Sequence, residues 1–350
     1  MNLDVLVLHN QPLLPDGHPE AESEREILET AEHACAALAG AEFRVERLAV
    51  GRDLGPLLGA LRRRPDVVVN LFEGLASAED AGSEAAVAAL LEWHGLPFTG
   101  SPAPTIALTR SKPLSKFVLH GAGLPTPDFM VLDGLPEGPL GLGSCLGRGT
   151  LRWPVIVKPA HQDASAGIDQ GSVVTRRDSL RKRVALLLER FGPPVLVEQY
   201  VEGRELTVAV VEVPELQALP VSEFVFKPRA GAWPIVTYDA KWRVGSRDFQ
   251  HTPFCERAVV TPELERRLHE LAVRAYRVLG LRDYGRVDFR VTDAGEPFIL
   301  EVNANPDLSP QAALADGLIA AGTSHAEFVA RLVRHALDRA SDRPVVAGGR

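Results

Sequence analysis

The sequence predicts a three-lobed molecule: a parallel α/β lobe, a central α+β lobe and a third lobe on an antiparallel sheet. Aliphatic runs and helically spaced apolar residues alternate over the first quarter of the chain, which is the pattern of a parallel sheet with both faces covered. A Gly- and Pro-rich break then separates two strand-like runs, and the last third holds a hairpin pattern beside a long amphipathic helix. The length of 350 residues agrees, because a domain averages about 150.

Leu3 to Leu8 predicts a strand, followed by a loop with Pro12, Pro15, Gly17 and Pro19. From Glu22, residues Ile27, Leu28, Ala31, Ala34, Cys35 and Leu38 recur at helical spacing, and Gly40 stops that helix. Phe43 to Leu48, Leu54 to Leu61, Val67 to Leu71 and Ser83 to Trp93 read as strand, helix, strand, helix, and the lobe ends near Pro104. Thr109 to Ala122 predicts a helix with its entry, and Asp128 to Leu132 a strand. Asp133 to Gly149 is too rich in Gly and Pro to be either. Trp153 to Lys158 is a strong strand, and the polar stretch from Ala160 to Gln170 is a candidate mobile loop. Gly171 to Thr175, Ser179 to Phe191 and Val195 to Tyr200 then read as strand, helix and strand. Arg204 to Val213 and Leu219 to Phe226 resemble antiparallel strands, and Pro262 to Leu279 a helix with Pro just inside its start. Two strands follow around Ala294-Gly295, then a helix near His325 to Asp338. The lobes are accordingly placed at 1–104, 105–198 and 199–340, with a flexible tail at 341–350.

Composition excludes several function classes. At 45% hydrophobic, 24% charged and 6% aromatic the chain reads as a soluble globular enzyme. Lys plus Arg number 38 against 46 Asp plus Glu, a net charge of −8, so no global positive field draws it to nucleic acid or anionic lipid. Cys35, Cys145 and Cys255 are odd in number and far apart, which argues against a disulfide framework or a zinc site and for a reducing cytoplasm. No run of about 18 apolar residues occurs and the start lacks a basic signal-peptide head, so no membrane partner or export is expected.

The chemistry concentrates in Arg286 to Asn303. Folded as a hairpin with a two- or four-residue loop about Ala294-Gly295, this segment pairs Val287 with Val302, Phe289 with Leu300 and Val291 with Phe298 on one apolar face. The other face sets Asp288 opposite Glu301 and Arg286 opposite Asn303. Two facing carboxylates repel by roughly 0.2–1 kcal/mol, so a cation is expected between them. Hard oxygen ligands from Asp288, Glu301 and Asn303 suit Mg²⁺ (or Mn²⁺) held jointly with substrate phosphates. The plainer reading is a salt-bridged surface hairpin with Arg286 or Arg290 as the cation. Phosphates need positive charge, yet no G-x-x-x-x-G-K-[ST] or G-x-G-x-x-G occurs. Lys158, ending its strand beside a loop with Ser165 and Gly167, and Lys112 at a helix entry are the candidates; either alone also reads as a solvated surface charge. No H-E-x-x-H, G-x-S-x-G or paired Cys is present, and His161 and His251 read as exposed or internally satisfied.

At these residues the chain resembles the ATP-grasp ligases, specifically the D-alanine–D-alanine ligase family, from Glu24-Arg25-Glu26 to about His335. The markers are Pro97 to Ser101, Lys112 ahead of Gly121 to Pro125, Val155 to Pro159, Glu198 with Gly203-Arg204-Glu205, Tyr238 to Lys241, Gly285 to Asp288 and Glu301 to Asn303. The resemblance implies the ATP-grasp fold, with ATP gripped between the second and third lobes. Lys112, Lys158 and the loop at Ser165 would hold phosphates, the backbone from Glu198 through Gln199 and Tyr200 to Val201 the adenine edge, and Glu205 the ribose. Asp288, Glu301 and Asn303 would ligate Mg²⁺. Arg286 would stabilise the oxyanion, Lys241 belongs to the catalytic loop, and Glu24 matches the family's amino-group-binding Glu. The implied reaction activates a carboxylate as an acylphosphate for attack by an amine. The partners are then a small carboxylate and an amine of amino-acid type, with a homodimer left open.

The substrate side departs from the family pattern. A serine is replaced by Ala164, a tyrosine by Trp242, and the Ser-Pro-Gly-Met-Thr stretch by Asn305 to Ser309. A further serine aligns with Ala312, and the first-lobe Gly-Gly loop is replaced by His9 to Pro12 and an insertion. Lost hydrogen-bond partners shift which ligand is accepted, since unpaired polar groups cost about 1–3 kcal/mol each. The ligase class is therefore the firmer expectation than D-alanine itself. A degenerate ATP-binding regulatory module and simple phosphotransfer stand as alternatives.

Overall fold

The computed structural model describes residues 3–18, 21–75, 82–135 and 151–341. The tail and most of the Gly/Pro-rich stretch, including Cys145, lie outside the described residues.

The first sheet is parallel, in the order β2 (Arg44–Val50), β1 (Asp4–Asn10), β3 (Val67–Leu71). Its alternating aliphatics bury both faces. Val5, Val7 and Val69 pack with α1 (Ala21–Gly40) and α11 (His325–Ser341), while Leu6, Leu8 and Val68 pack with α2 (Gly55–Arg62), α3 (Ser83–Trp93) and α4 (Ala103–Arg110). The stretch from Thr109 to Ala122, expected as a helix with its entry, has its helix from Lys112, and the entry residues Thr109 and Arg110 are the end of α4. The extended Ser111 ends α4 and its hydroxyl caps α5 (Lys112–Gly121) by accepting from Leu114 N.

The second sheet runs β4 (Phe129–Leu132), β7 (Val195–Gln199), β5 (Val155–Pro159), β6 (Val173–Val174), antiparallel throughout. Period two sorts β5: Val155 and Val157 pack under α6 (Arg177–Phe191), whereas Ile156 and Lys158 turn to the other face with Glu198.

The third sheet orders β11 (Phe254–Cys255), β10 (Ser222–Phe224), β8 (Arg204–Glu212), β12 (Tyr284–Val291) and β13 (Pro297–Asn303), with β9 (Leu216–Ala218) also on β8. The strand expected from Leu219 to Phe226 is thus shortened to β10, and β9 precedes it. α9 (Pro262–Leu279), capped by Thr261 and stopped by the left-handed Gly280, covers one face through Leu268, Ala272 and Tyr276 against Val208, Val287 and Phe289. On the other face Tyr284 packs into the core shared with the first sheet, beside Phe328 and α10 (Ala313–Ala320). The rest of that face, Arg286, Asp288 and Arg290, stays uncovered by this core. Two short helices missed by periodicity, α7 (Tyr238–Trp242) and α8 (Arg247–His251), complete the fold. No helix among the described residues is long and apolar enough to cross a membrane.

The hairpin corrects the expected register. Arg286 opposes Asn303, Val287 Val302 and Asp288 Glu301, but beyond Glu301 the strand bulges, so Phe289 pairs with Ile299 and Val291 with Pro297. Phe289–Leu300 and Val291–Phe298 do not form. The connection, Thr292 to Glu296, is one residue longer than the longer of the two loops considered. The fully buried Ile299 takes the core position, and the extra residue, Leu300, joins Glu301 at the cavity.

Candidate active site

A cavity of ≈ 120 Å³ opens between the Lys158 face of the second sheet and the Asp288 face of the third. The predicted residues Lys112, Lys158, Ser165, Glu198, Gln199, Tyr200, Val201, Glu205, Lys241, Arg286, Asp288, Glu301 and Asn303 all line it. Ile156, Ile168, Ile235 and Leu300, not anticipated, supply apolar walls.

Glu24 does not join them. Its carboxylate accepts from the backbone N–H groups of Leu13 (2.9 Å) and Leu14 (2.7 Å) and so anchors the loop after β1. Two residues on, and about 200° around the helix, Glu26 interacts electrostatically with Lys241 and Asp307. Neither carboxylate lines the cavity, and Glu26 is the one that feels the charge of Lys241 in its wall.

Asp288 and Glu301 oppose each other as expected, and each is neutralised by its own cation. Arg286 grips Asp288 through Nε (2.9 Å) and Nη2 (3.0 Å), Asn303 Nδ2 donates to it at 3.2 Å, and the Thr207 hydroxyl donates as well. Burial opposes ionisation of Asp288, but Arg286 and these donors outweigh it and hold the carboxyl below its ordinary range. Glu301 pairs with Lys112 Nζ at 2.6 Å; burial still leaves its carboxyl raised. Arg290, the other cation considered, pairs instead with Glu205 at 3.3 Å and donates to Val201 O at 3.1 Å, tying these two residues of the cavity wall together.

Among the described residues no three His, Cys, Asp or Glu side chains converge into a ready metal centre. The set is two carboxylates and an amide, all hard oxygen donors on adjacent strands. That chemistry suits Mg²⁺, which is commonly held by one or two carboxylates with the rest supplied by phosphate and water.

The lysines are equally committed. Lys112 also binds Asp163 (2.9 Å), which in turn holds Arg110 (2.6 Å), and burial is outweighed so that its ammonium is raised. Lys158 pairs with Glu198 at 2.6 Å, and Glu198 is shared with Lys116, a buried lysine that went unnoticed. Its signal was spacing: four residues after Lys112, it shares that helix face. Lys241 is pushed down by burial and by Arg286 nearby.

The loop from Ala160 to Gln170 is stitched on several sides. Ala164 and Ser165 are both left-handed (φ 54° and 61°), the Trp242 indole N–H donates to Ala164 O at 2.9 Å, and Tyr238 N donates to Ile168 O at 3.0 Å. Gly167 also has positive φ, and a Cβ there would meet Phe191 at 2.6 Å, so only glycine fits.

Comparison with known proteins agrees with this geometry. The profile described as D-ala D-ala ligase C-terminus matches residues 118–334. A D-alanine–D-alanine ligase of Desulforudis audaxviator is 34% identical over 91% of this chain and 96% of its own. That of Marinobacter nauticus is 34% identical over 84% and 82%, and an uncharacterized protein of Sinorhizobium fredii 32% identical over 77% and 74%. The crystal structure of the Bacillus anthracis D-alanine–D-alanine ligase complexed with ATP superposes with TM-score 0.72 at 19% identity, covering 97% of this chain and 99% of that one, which establishes the fold. The chain, with its two gripping sheets and its Lys-, Arg- and carboxylate-lined cavity, belongs to the D-alanine–D-alanine ligase family of ATP-grasp enzymes.

Proposed function

We propose that this protein uses ATP to join a carboxylate to an amine, both of amino-acid type, as a dipeptide or related amide. The carboxylate oxygen displaces ADP from the γ-phosphate to give an acylphosphate. The amine nitrogen then attacks its carbonyl carbon, loses a proton and expels phosphate. The observation that carries this reading is the Asp288–Glu301 pair in the wall of a cavity that Lys112, Lys158 and Arg286 also line. Bound there, Mg²⁺ would neutralise phosphate charge, with Asp288, Glu301 and Asn303 as its protein ligands. Lys112 and Lys158 bind phosphate oxygens, exchanging Glu301 and Glu198 for them. Arg286, already fixed in plane by Asp288, faces the negative charge that develops on the attacked carbonyl oxygen. Gln199 to Val201 border the adenine and Glu205 the ribose.

The test is a mass-spectrometric screen of amino-acid pairs with ATP and Mg²⁺. The expected result is a condensation product, with ADP release that requires metal, acid and amine together. Thermal stabilisation by ATP with no ADP across a broad panel would replace this reading with a regulatory binding module. ADP release that needs no amine, with a phosphorylated product, would replace it with phosphotransfer.

A further inference from the structure

Lys116 lies outside the cavity, yet it belongs to the most enclosed ion pair among the described residues. It is 1% exposed and Glu198 0%, while the Lys158 side chain keeps 14% at the cavity wall. One carboxylate thus holds two lysines: Glu198 Oε1 faces Lys116 Nζ and Oε2 meets Lys158 Nζ at 2.6 Å. Lys116 is fixed from behind. It donates to the Thr126 hydroxyl at 2.8 Å, which donates to Ile299 O at 2.9 Å, and its ammonium stands 6.0 Å from the Phe129 ring centroid. Two cations on one anion leave an uncompensated positive charge in a poorly solvated place, where charges interact strongly. Of the two lysines only Lys158 lines the cavity, so that is where an anion can balance the charge.

We propose that Lys116 is a positioning residue for nucleotide binding: by neutralising Glu198 from behind, it frees Lys158 to take a phosphate oxygen. Without Lys116, Glu198 and Lys158 form a closed neutral pair. A phosphate must then pull Lys158 away and leave a bare buried carboxylate. This inference rests on the reading that the cavity takes ATP.

The experiment is calorimetric titration of the full chain with ATP in excess Mg²⁺, beside melting curves with and without ATP. Lys116→Met is expected to weaken ATP binding about tenfold, a loss typical of one charge-assisted interaction. The melting temperature without nucleotide should stay close to wild type, and the upward shift given by ATP should shrink. Lys116→Arg, which keeps the charge, should restore binding. ATP affinity unchanged in a folded Lys116→Met protein, or lost equally in Lys116→Arg, overturns the proposal. If Lys116→Met does not fold, it is combined with Glu198→Gln. Affinity equal to that of Glu198→Gln alone supports the mechanism, because the carboxylate that needed neutralising is gone; a further loss refutes it. Failure of the wild-type protein to bind Mg·ATP would instead overturn the ligase reading itself.

Discussion

At the scale of single residues, the cavity is a set of ion pairs whose members are promised elsewhere. Glu301 holds Lys112 and Asp288 holds Arg286, so the carboxylates proposed for metal and the cations proposed for phosphate and oxyanion hold each other in place. Glu301→Gln preserves shape but removes the charge. ADP formation in Mg²⁺ should then fall on the order of a thousandfold with melting little changed, and full turnover in that variant would end the metal role. Glu26 offers a pH test. Burial first, then Asp307 and Glu29, push its carboxyl up to about 7, with Lys241 pulling the other way. In the unfolded chain the same group titrates near 4.5. Between these values the folded protein binds more protons, so its stability declines as pH rises from 4.5 through 7. Glu26→Gln should therefore melt like wild type near pH 4 and above it at pH 8. The gain is on the order of 1 kcal/mol, since the side chain is part-exposed and screened. Equal destabilisation at both pH values would mean the environment is not acid-crowded.

At the scale of elements, backbone geometry sets which side chains reach the site. Gly203 joins β7 to β8 at φ 143°, and a Cβ there would lie 2.0 Å from Val291 O. Gly203→Ala must push β12 from β8, and a loss of several kcal/mol is expected, read as a lowered denaturant midpoint. Trp242 holds a loop that lines the cavity. Trp242→Phe deletes the indole donor to Ala164 O, so amide exchange over residues 160–168 should quicken and the KM for ATP rise several-fold. The hairpin marks how far such geometry was legible beforehand. Its inner end, Arg286 to Asp288 against Glu301 to Asn303, followed from period two alone. The bulge did not, because Ile299 and Leu300 are both apolar and nothing local says which one the core takes. The break at Ser111 was signalled by a cap residue ahead of Pro113. By contrast α7 and α8 are too short for any period to show. Asp163 was invisible for another reason, and the spacing of Lys116 from Lys112 was only a faint signal: a lysine or aspartate reads as surface until its counter-ion, far off in the chain, is placed beside it.

The whole molecule is organised by one shared core. Val5, Val7 and Val69 of the first sheet, Phe328 and Val333 of α11, and Ala209, Val211 and Tyr284 of the third sheet form a single apolar cluster. Polar contacts reinforce that joint: the fully buried Asp283 accepts from Gly100 N at 2.8 Å and is paired with Arg339 of α11. The second sheet has a separate core under α6 and meets the third mainly across the cavity. First and third sheets should therefore melt as one cooperative unit, and the second should be the part whose stability responds most to nucleotide. Phe328→Ala tests this, since its ring meets Tyr284 edge-on at 6.4 Å and Tyr284 begins the strand that carries Arg286 and Asp288. Removing that ring should cost about 3–5 kcal/mol. In calorimetry it should lower one transition that carries both sheets. Hydrogen exchange should then open β3 and β12 together while β5 and β7 keep their protection. If β3 opens and β12 does not, the two sheets are separate folding units, and Arg286 is held by the third sheet alone.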